Sequence, residues 1–143
     1  MDARITFITL PVADIAASRR FYVDGLGWQP AFEAPGGVIF FRVGPTVMLS
    51  LWNRAEFEEE VGPLPAGGGI PPLTLSHNMP DVAGVDEVMR DAAAAGAQIV
   101  RPARHREWGG YSGYFADPDG FRWEVAYNPQ PLGVELMQAA GLV

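Results

Sequence analysis

The chain has 143 residues, no cysteine and a net charge of −7 at neutral pH. Without thiols there are no disulfides, thiolate nucleophiles, zinc–thiolate sites or iron–sulfur clusters, and the acidic balance argues against a nucleic-acid partner, whose phosphates require a basic face. The length suits one domain or two fused half-domains, no window holds the ~20 consecutive apolar residues of a membrane span, and the first residues carry no signal-peptide pattern, so a cytoplasmic protein without a membrane partner is expected.

Residues 5–12 are apolar and β-branched and read as a strand, with Pro11 near its exit. Asp14 caps a helix running through Val23, on which Ile15, Arg19 and Tyr22 form one row and Ala17, Phe21 and Asp24 another. Phe21 and Tyr22 anchor it to a sheet, and Gly25 and Gly27 stop it. Three short strands follow at 28–33, 38–43 and 46–52, separated by Pro35-Gly36-Gly37 and Gly44-Pro45 turns. Residues 54–60 read as a short acidic helix, and 62–69 as a Pro/Gly-rich linker.

The same order then returns. A strand at 73–79 leads to a helix opened near Asp81, with Val85, Val88, Met89 and Ala92 at helical spacing and Gly96 at its exit. Strands at 97–102, 111–116 and 121–128 follow, the last two joined by an Asp117-Pro118-Asp119-Gly120 hairpin. Pro129 and Pro131 end the sheet, and 134–140 reads as a short surface helix. Gly27 and Gly96, which close the two helices, lie 69 residues apart, about half the chain. That spacing points to duplication. The expectation is an α+β fold of two βαβββ units in one compact domain: residues 1–53, a linker over 54–71, residues 72–129, and a tail over 130–143. Two curved sheets facing one another would enclose a hollow for a small molecule. Exposed sheet edges give a motive for a homodimer.

Three segments carry a resemblance. The first is Thr9-Leu10-Pro11-Val12-Ala13-Asp14 with Ser18-Arg19-Arg20-Phe21-Tyr22 and Gly25-Leu26-Gly27-Trp28. The second runs from Val85-Asp86 to Ala95-Gly96-Ala97. The third, Trp108-Gly109-Gly110-Tyr111-Ser112-Gly113-Tyr114-Phe115-Ala116-Asp117-Pro118-Asp119-Gly120-Phe121-Arg122-Trp123-Glu124-Val125, is the most specific. In this order they resemble the glyoxalase / bleomycin-resistance / extradiol-dioxygenase (vicinal oxygen chelate) superfamily. The resemblance implies paired half-barrels and a metal held by one residue from the first and last strands of each unit. Carried over by position, those four places fall on Phe7, on or near Leu49, near Thr74 (with His77 three residues on) and on Glu124. Only Glu124 is a proper ligand, so the expectation is no cofactor, with a divalent metal disfavoured.

Glu124 is the candidate catalytic residue. Alternation places it on one strand face with Arg122 and Ala126, opposite Trp123 and Val125. A carboxylate there serves as a general base or as a polar handle for an amine or hydroxyl. Ligand-binding candidates are Phe7, Leu49, Trp52, Thr74, Trp108, Tyr111 and Tyr114, the aromatics because flat rings with polar edges grip organic molecules. Arg101, Arg104, His105 and Arg106 form a basic loop cluster able to grip an anion or simply to face solvent. The leading expectation is a protein that binds a small organic molecule in an aromatic-lined cup without the family metal. The alternatives are a metal-dependent lyase or dioxygenase of the same superfamily, and an antibiotic-sequestering protein.

Overall fold

A computed structural model describes residues 1–67 and 69–143. The chain forms two compact units, Met1–Gly68 and Gly69–Val143, and each is an α+β layer of one four-stranded mixed sheet with helices packed against it.

In the first unit, strand β1 (Phe7–Val12) leads into helix α1 (Ile15–Arg19), which runs on as a π-helical segment over Arg20–Gly25. Asp14 caps α1 as its position predicts, its Oδ1 accepting from the Ala16 and Ala17 amides at 2.9 and 3.2 Å. Strands β2 (Pro30–Ala34), β3 (Val38–Arg42) and β4 (Met48–Asn53) complete a sheet in the order β1-β4-β3-β2. β1 pairs parallel with β4, and the other pairs are antiparallel. One face carries Leu10, Ile39, Phe41, Leu49 and Leu51, all buried. Tyr22 closes this core from the helical segment, its ring 5.8 Å from Phe41 and 5.4 Å from Trp28. Fully burying each such side chain stabilises the unit by about 1.5–3 kcal/mol. Arg19 ties the helix to β2 through Glu33 at 2.9 Å.

Helix α2 (Arg54–Glu60) corrects the expected linker boundary. Asn53 caps it, and it packs on β4 and β1, with Phe57 edge-on to Trp52 at 5.8 Å. Residues 54–60 are therefore part of the first unit, because an apolar ring on one side of an otherwise acidic helix is enough to seat it.

The second unit repeats the scheme. Strand β5 (Thr74–Asn78), helix α3 (Val82–Ala94), and strands β6 (Gln98–His105), β7 (Tyr111–Ala116) and β8 (Arg122–Tyr127) give the order β5-β8-β7-β6, followed by helix α4 (Pro131–Ala139). β6 runs three residues beyond its expected end, so Arg104 and His105 are strand residues paired with Ser112 and Tyr111 rather than loop residues. Val85, Met89 and Ala92 bury the inner face of α3. Gly113 lies beneath it: a Cβ there would meet the Ala103 nitrogen and the Met89 methyl at 2.9 Å. Both helix exits use a left-handed glycine, Gly27 at φ +73° and Gly96 at φ +99°. At the β7–β8 turn, Asp117 Oδ1 accepts from the amides of Asp119 at 3.0 Å and Phe121 at 2.9 Å, which sets the register of both strands.

Candidate functional site

Helix α3 covers one face of the second sheet, where Gly113, Phe115, Trp123 and Val125 lie. The opposite face carries the polar side chains. Its central rung is Ser76–Glu124–Tyr114, three residues in register on β5, β8 and β7. The Tyr114 hydroxyl donates to Glu124 Oε1 at 2.5 Å, and the Ser76 hydroxyl donates to Oε2 at 3.1 Å. Both carboxylate oxygens are thus held by neutral donors. The phenol's pKa is pushed above 10, first by its hydrogen bond to Glu124, then by burial and by the carboxylate's charge. It stays a proton donor across the neutral range.

Two arginines flank this rung. Arg106 donates from Nε to the Ser112 hydroxyl and from Nη2 to the Ser112 carbonyl, both at 2.9 Å, and its guanidinium lies 5.9 Å from the centre of the Tyr114 ring. Arg122 stands on the other side, in the rung Thr74–Arg122–Ala116. Alternation alone shows that Arg122 shares the face of Glu124. Ser76 was beyond sequence reasoning, since the register of a parallel pair is set by tertiary contacts.

The other predicted residues lie as follows. Thr74 is on the Glu124 face, exposed on the edge strand β5. Tyr111 is on the helix-covered face, its hydroxyl donating to Asp86 of α3 at 2.8 Å. His77 also lies there, opposite Val125, and packing of part of its ring lowers its pKa by desolvation. Trp108 follows β6, its ring close over Gly110 and its carbonyl accepting from Gln130 at 3.2 Å. In the first unit Phe7 is half exposed on the face opposite the buried Leu10 and Leu49, edge-on to Phe40 at 5.2 Å. Trp52 is held by α2, with Nε1 donating to Glu56 at 3.0 Å. Leu49 requires a correction. It pairs with Phe41 on the helix-covered face and is 1% exposed. The residue whose place in its sheet matches that of Glu124 is Ser50, in the rung Thr9–Ser50–Phe40. A one-residue offset in a strand turns the side chain to the other face.

Two surface clefts lie elsewhere. One of about 760 Å³ runs between α3 and β6, lined by Asp86, Met89, Arg90 and Ile99 among others. Another of about 380 Å³ sits beside Asp14, Arg19 and Glu33. Neither includes Glu124, and neither gathers donors on a carboxylate as the Ser76–Glu124–Tyr114 rung does.

Residues 4–125 match the profile of the Glyoxalase/Bleomycin resistance protein/Dioxygenase superfamily. The chain belongs to this superfamily. A solved glyoxalase-related enzyme from Fulvimarina pelagi is 37% identical, with a TM-score of 0.80 over 89% of each chain. A superfamily member from Nocardioides is 27% identical, with a TM-score of 0.71 over 89% of this chain and 84% of that one. A lactoylglutathione lyase from Agrobacterium tumefaciens is 26% identical, with a TM-score of 0.68 over 90% of this chain and 96% of that one. No curated protein sequence matches.

The places that the resemblance implies for the superfamily's metal are Phe7, one at or near Leu49, one near Thr74, and Glu124, and the nearest side chains on the Glu124-like face at the middle two are the hydroxyls of Ser50 and Thr74. One carboxylate among hydroxyls and a phenyl ring does not fit a divalent-cation cage. Among the described residues no three His, Cys, Asp or Glu side chains converge.

Proposed function

We propose that this superfamily member binds a small organic molecule on the uncovered face of its second sheet, with Glu124 as the polar handle and without the family metal. The supporting observation is the Glu124 carboxylate, fixed by Tyr114 at 2.5 Å and Ser76 at 3.1 Å in a rung flanked by two arginines. A carboxylate held in this way is pre-oriented and keeps lone pairs for a ligand hydroxyl or amine. Tyr114 and Glu124 together form a donor–acceptor pair able to relay one proton to or from a bound molecule. The likeness to a glyoxalase-related enzyme supports a small-molecule ligand for this chain. β2 and β6 each end their sheet with one edge unpaired within the unit, and pairing along such an edge would give the homodimer we also propose.

The test is a thermal-shift screen of small alcohols, amines, phenols and organic acids on wild type and Glu124→Gln. Binders that lose their shift in the variant support the handle. A set of binders indifferent to the change overturns it.

A further inference from the structure

Arg122 is the polar group of the Glu124 face whose hydrogen bonding is incomplete. It stands two residues before Glu124 on β8, so both side chains leave the same side of the sheet, roughly 7 Å apart along the strand. Its Nη1 donates to the Gly120 carbonyl at 3.2 Å. Its Nε is buried and meets no acceptor among the described residues. None of the ion pairs among the described residues includes Arg122. The carboxylate on the adjacent rung is turned to Tyr114 and Ser76 instead.

A guanidinium keeps its charge at every accessible pH. Burying one of its N–H groups without an acceptor leaves its desolvation uncompensated. Native structures leave few such groups, and an absent ion or ligand is a standard reason for one. The planar fork of N–H donors matches the oxygens of a carboxylate or a phosphate. Arg106 adds a second guanidinium beyond Tyr114, already anchored by Ser112. By register Arg101 and Arg104 of β6, paired with Tyr114 and Ser112, leave this face too, so it sets several cations against the Glu124 carboxylate on a chain of net charge −7. The local field runs against the global one and favours an anion.

We infer that Arg122 anchors an anionic oxygen group of the ligand, a carboxylate or a phosphate, while Glu124 meets a hydroxyl or acidic C–H a few atoms away. The ligand class is a small organic acid. This assignment rests on the Glu124 face being the ligand site and adds the chemistry of what binds there. The ligand oxygens meet the outer Nη donors of the guanidinium, beside the Nη1 bond to Gly120.

The experiment is calorimetric titration with mandelate, phenyl phosphate and the neutral analogue mandelamide. Each is titrated into wild type, Arg122→Met, Arg122→Lys and Glu124→Gln. Wild type is expected to bind at least one of the two anions saturably, and to bind mandelamide about tenfold or more weakly than mandelate where mandelate binds, the effect of losing a charged hydrogen bond. Tighter binding of mandelate marks a carboxylate ligand, and tighter binding of phenyl phosphate a phosphorylated one. Arg122→Met loses anion affinity by about the same factor, and Arg122→Lys, which keeps the charge without the fork, falls between. Because the wild-type Nε is unsatisfied, Arg122→Met melts no lower than wild type without ligand. Should it unfold, Arg122→Lys carries the comparison.

Anion affinity unchanged in both Arg122 variants, equal binding of mandelate and mandelamide, or no binding of either anion at millimolar concentration overturns the inference. The two readings separate cleanly. Anion binding lost in Arg122→Met but intact for mandelate in Glu124→Gln removes the Glu124 handle and supports Arg122. A neutral binder that responds to Glu124→Gln and not to Arg122→Met, with no anion bound, keeps the handle and removes the anchor.

Discussion

Glu124 and Tyr114 answer one another across a single rung of sheet, and the phenol bears the measurable consequence. A pKa raised above 10 means that the folded state holds this proton more tightly than the unfolded chain does. The stabilisation is fully present below pH 10 and is lost as pH rises through the raised value. Denaturant midpoints followed from pH 8 to pH 11.5 should therefore fall more steeply in wild type than in Tyr114→Phe; identical profiles would remove the coupling. His77 works in the opposite sense. Burial of part of its ring disfavours the charged form, so its stabilisation is present above pH 6.5 and is lost as pH falls through its lowered pKa. His77→Gln should lose less stability than wild type between pH 8 and pH 5, by urea titration at each pH. At this scale the sequence showed, through alternation, that Arg122 and Glu124 share a face. It did not show Ser76 or Arg106 beside them, since those approaches depend on strand register and on the path of the chain after β6.

Local rules served well for the elements wherever a boundary was decided by a few adjacent residues. The Asp14 and Asp81 caps, the Gly27 and Gly96 exits and the Asp117–Gly120 hairpin all lie where sequence reasoning placed them. Asp81 Oδ1 accepts from the Gly84 amide at 2.8 Å. Asp81→Ala should cost about 1 kcal/mol of stability, read as a lower urea midpoint with unchanged slope. Gly113 is a stricter case. An added methyl would press on the Ala103 backbone at 2.9 and 3.0 Å, and backbone cannot rotate away as a side-chain tip can. Gly113→Ala should destabilise by about 1–3 kcal/mol on the same measurement; a neutral result would mean that β6 yields freely. Where distant contacts set the boundary, the reading fell short. The bulged pairing with β7 extends β6 through His105, and the packing of Phe57 against Trp52 draws residues 54–60 into the first unit.

For the whole molecule, the repeated strand–helix–strand–strand–strand order and the superfamily match agree on two units of one design. The two copies differ in the chemistry of corresponding rungs. Thr9–Ser50–Phe40 in the first stands where Ser76–Glu124–Tyr114 stands in the second. The proposed metal-free site predicts that protein incubated with Zn²⁺, Ni²⁺ or Fe²⁺ and then desalted retains well under one equivalent of each by elemental analysis. Stoichiometric metal that is lost in Glu124→Ala would refute it. Light scattering after gel filtration should give twice the mass of one chain if the proposed homodimer forms. By itself the sequence determined the α+β class and the repeated element order, because turn chemistry, helical spacing and strand alternation are local properties; Glu124 was singled out by the resemblance, and its role is the proposal made above. Only the tertiary structure decided which face of each sheet its helix covers, and so that Leu49 is buried with Ser50 on the other face, and that Tyr111 meets α3 while Tyr114 meets Glu124. It alone decided that Arg122 is left short of an acceptor. Register and burial are settled by contacts between residues far apart in the chain, and no local pattern encodes them.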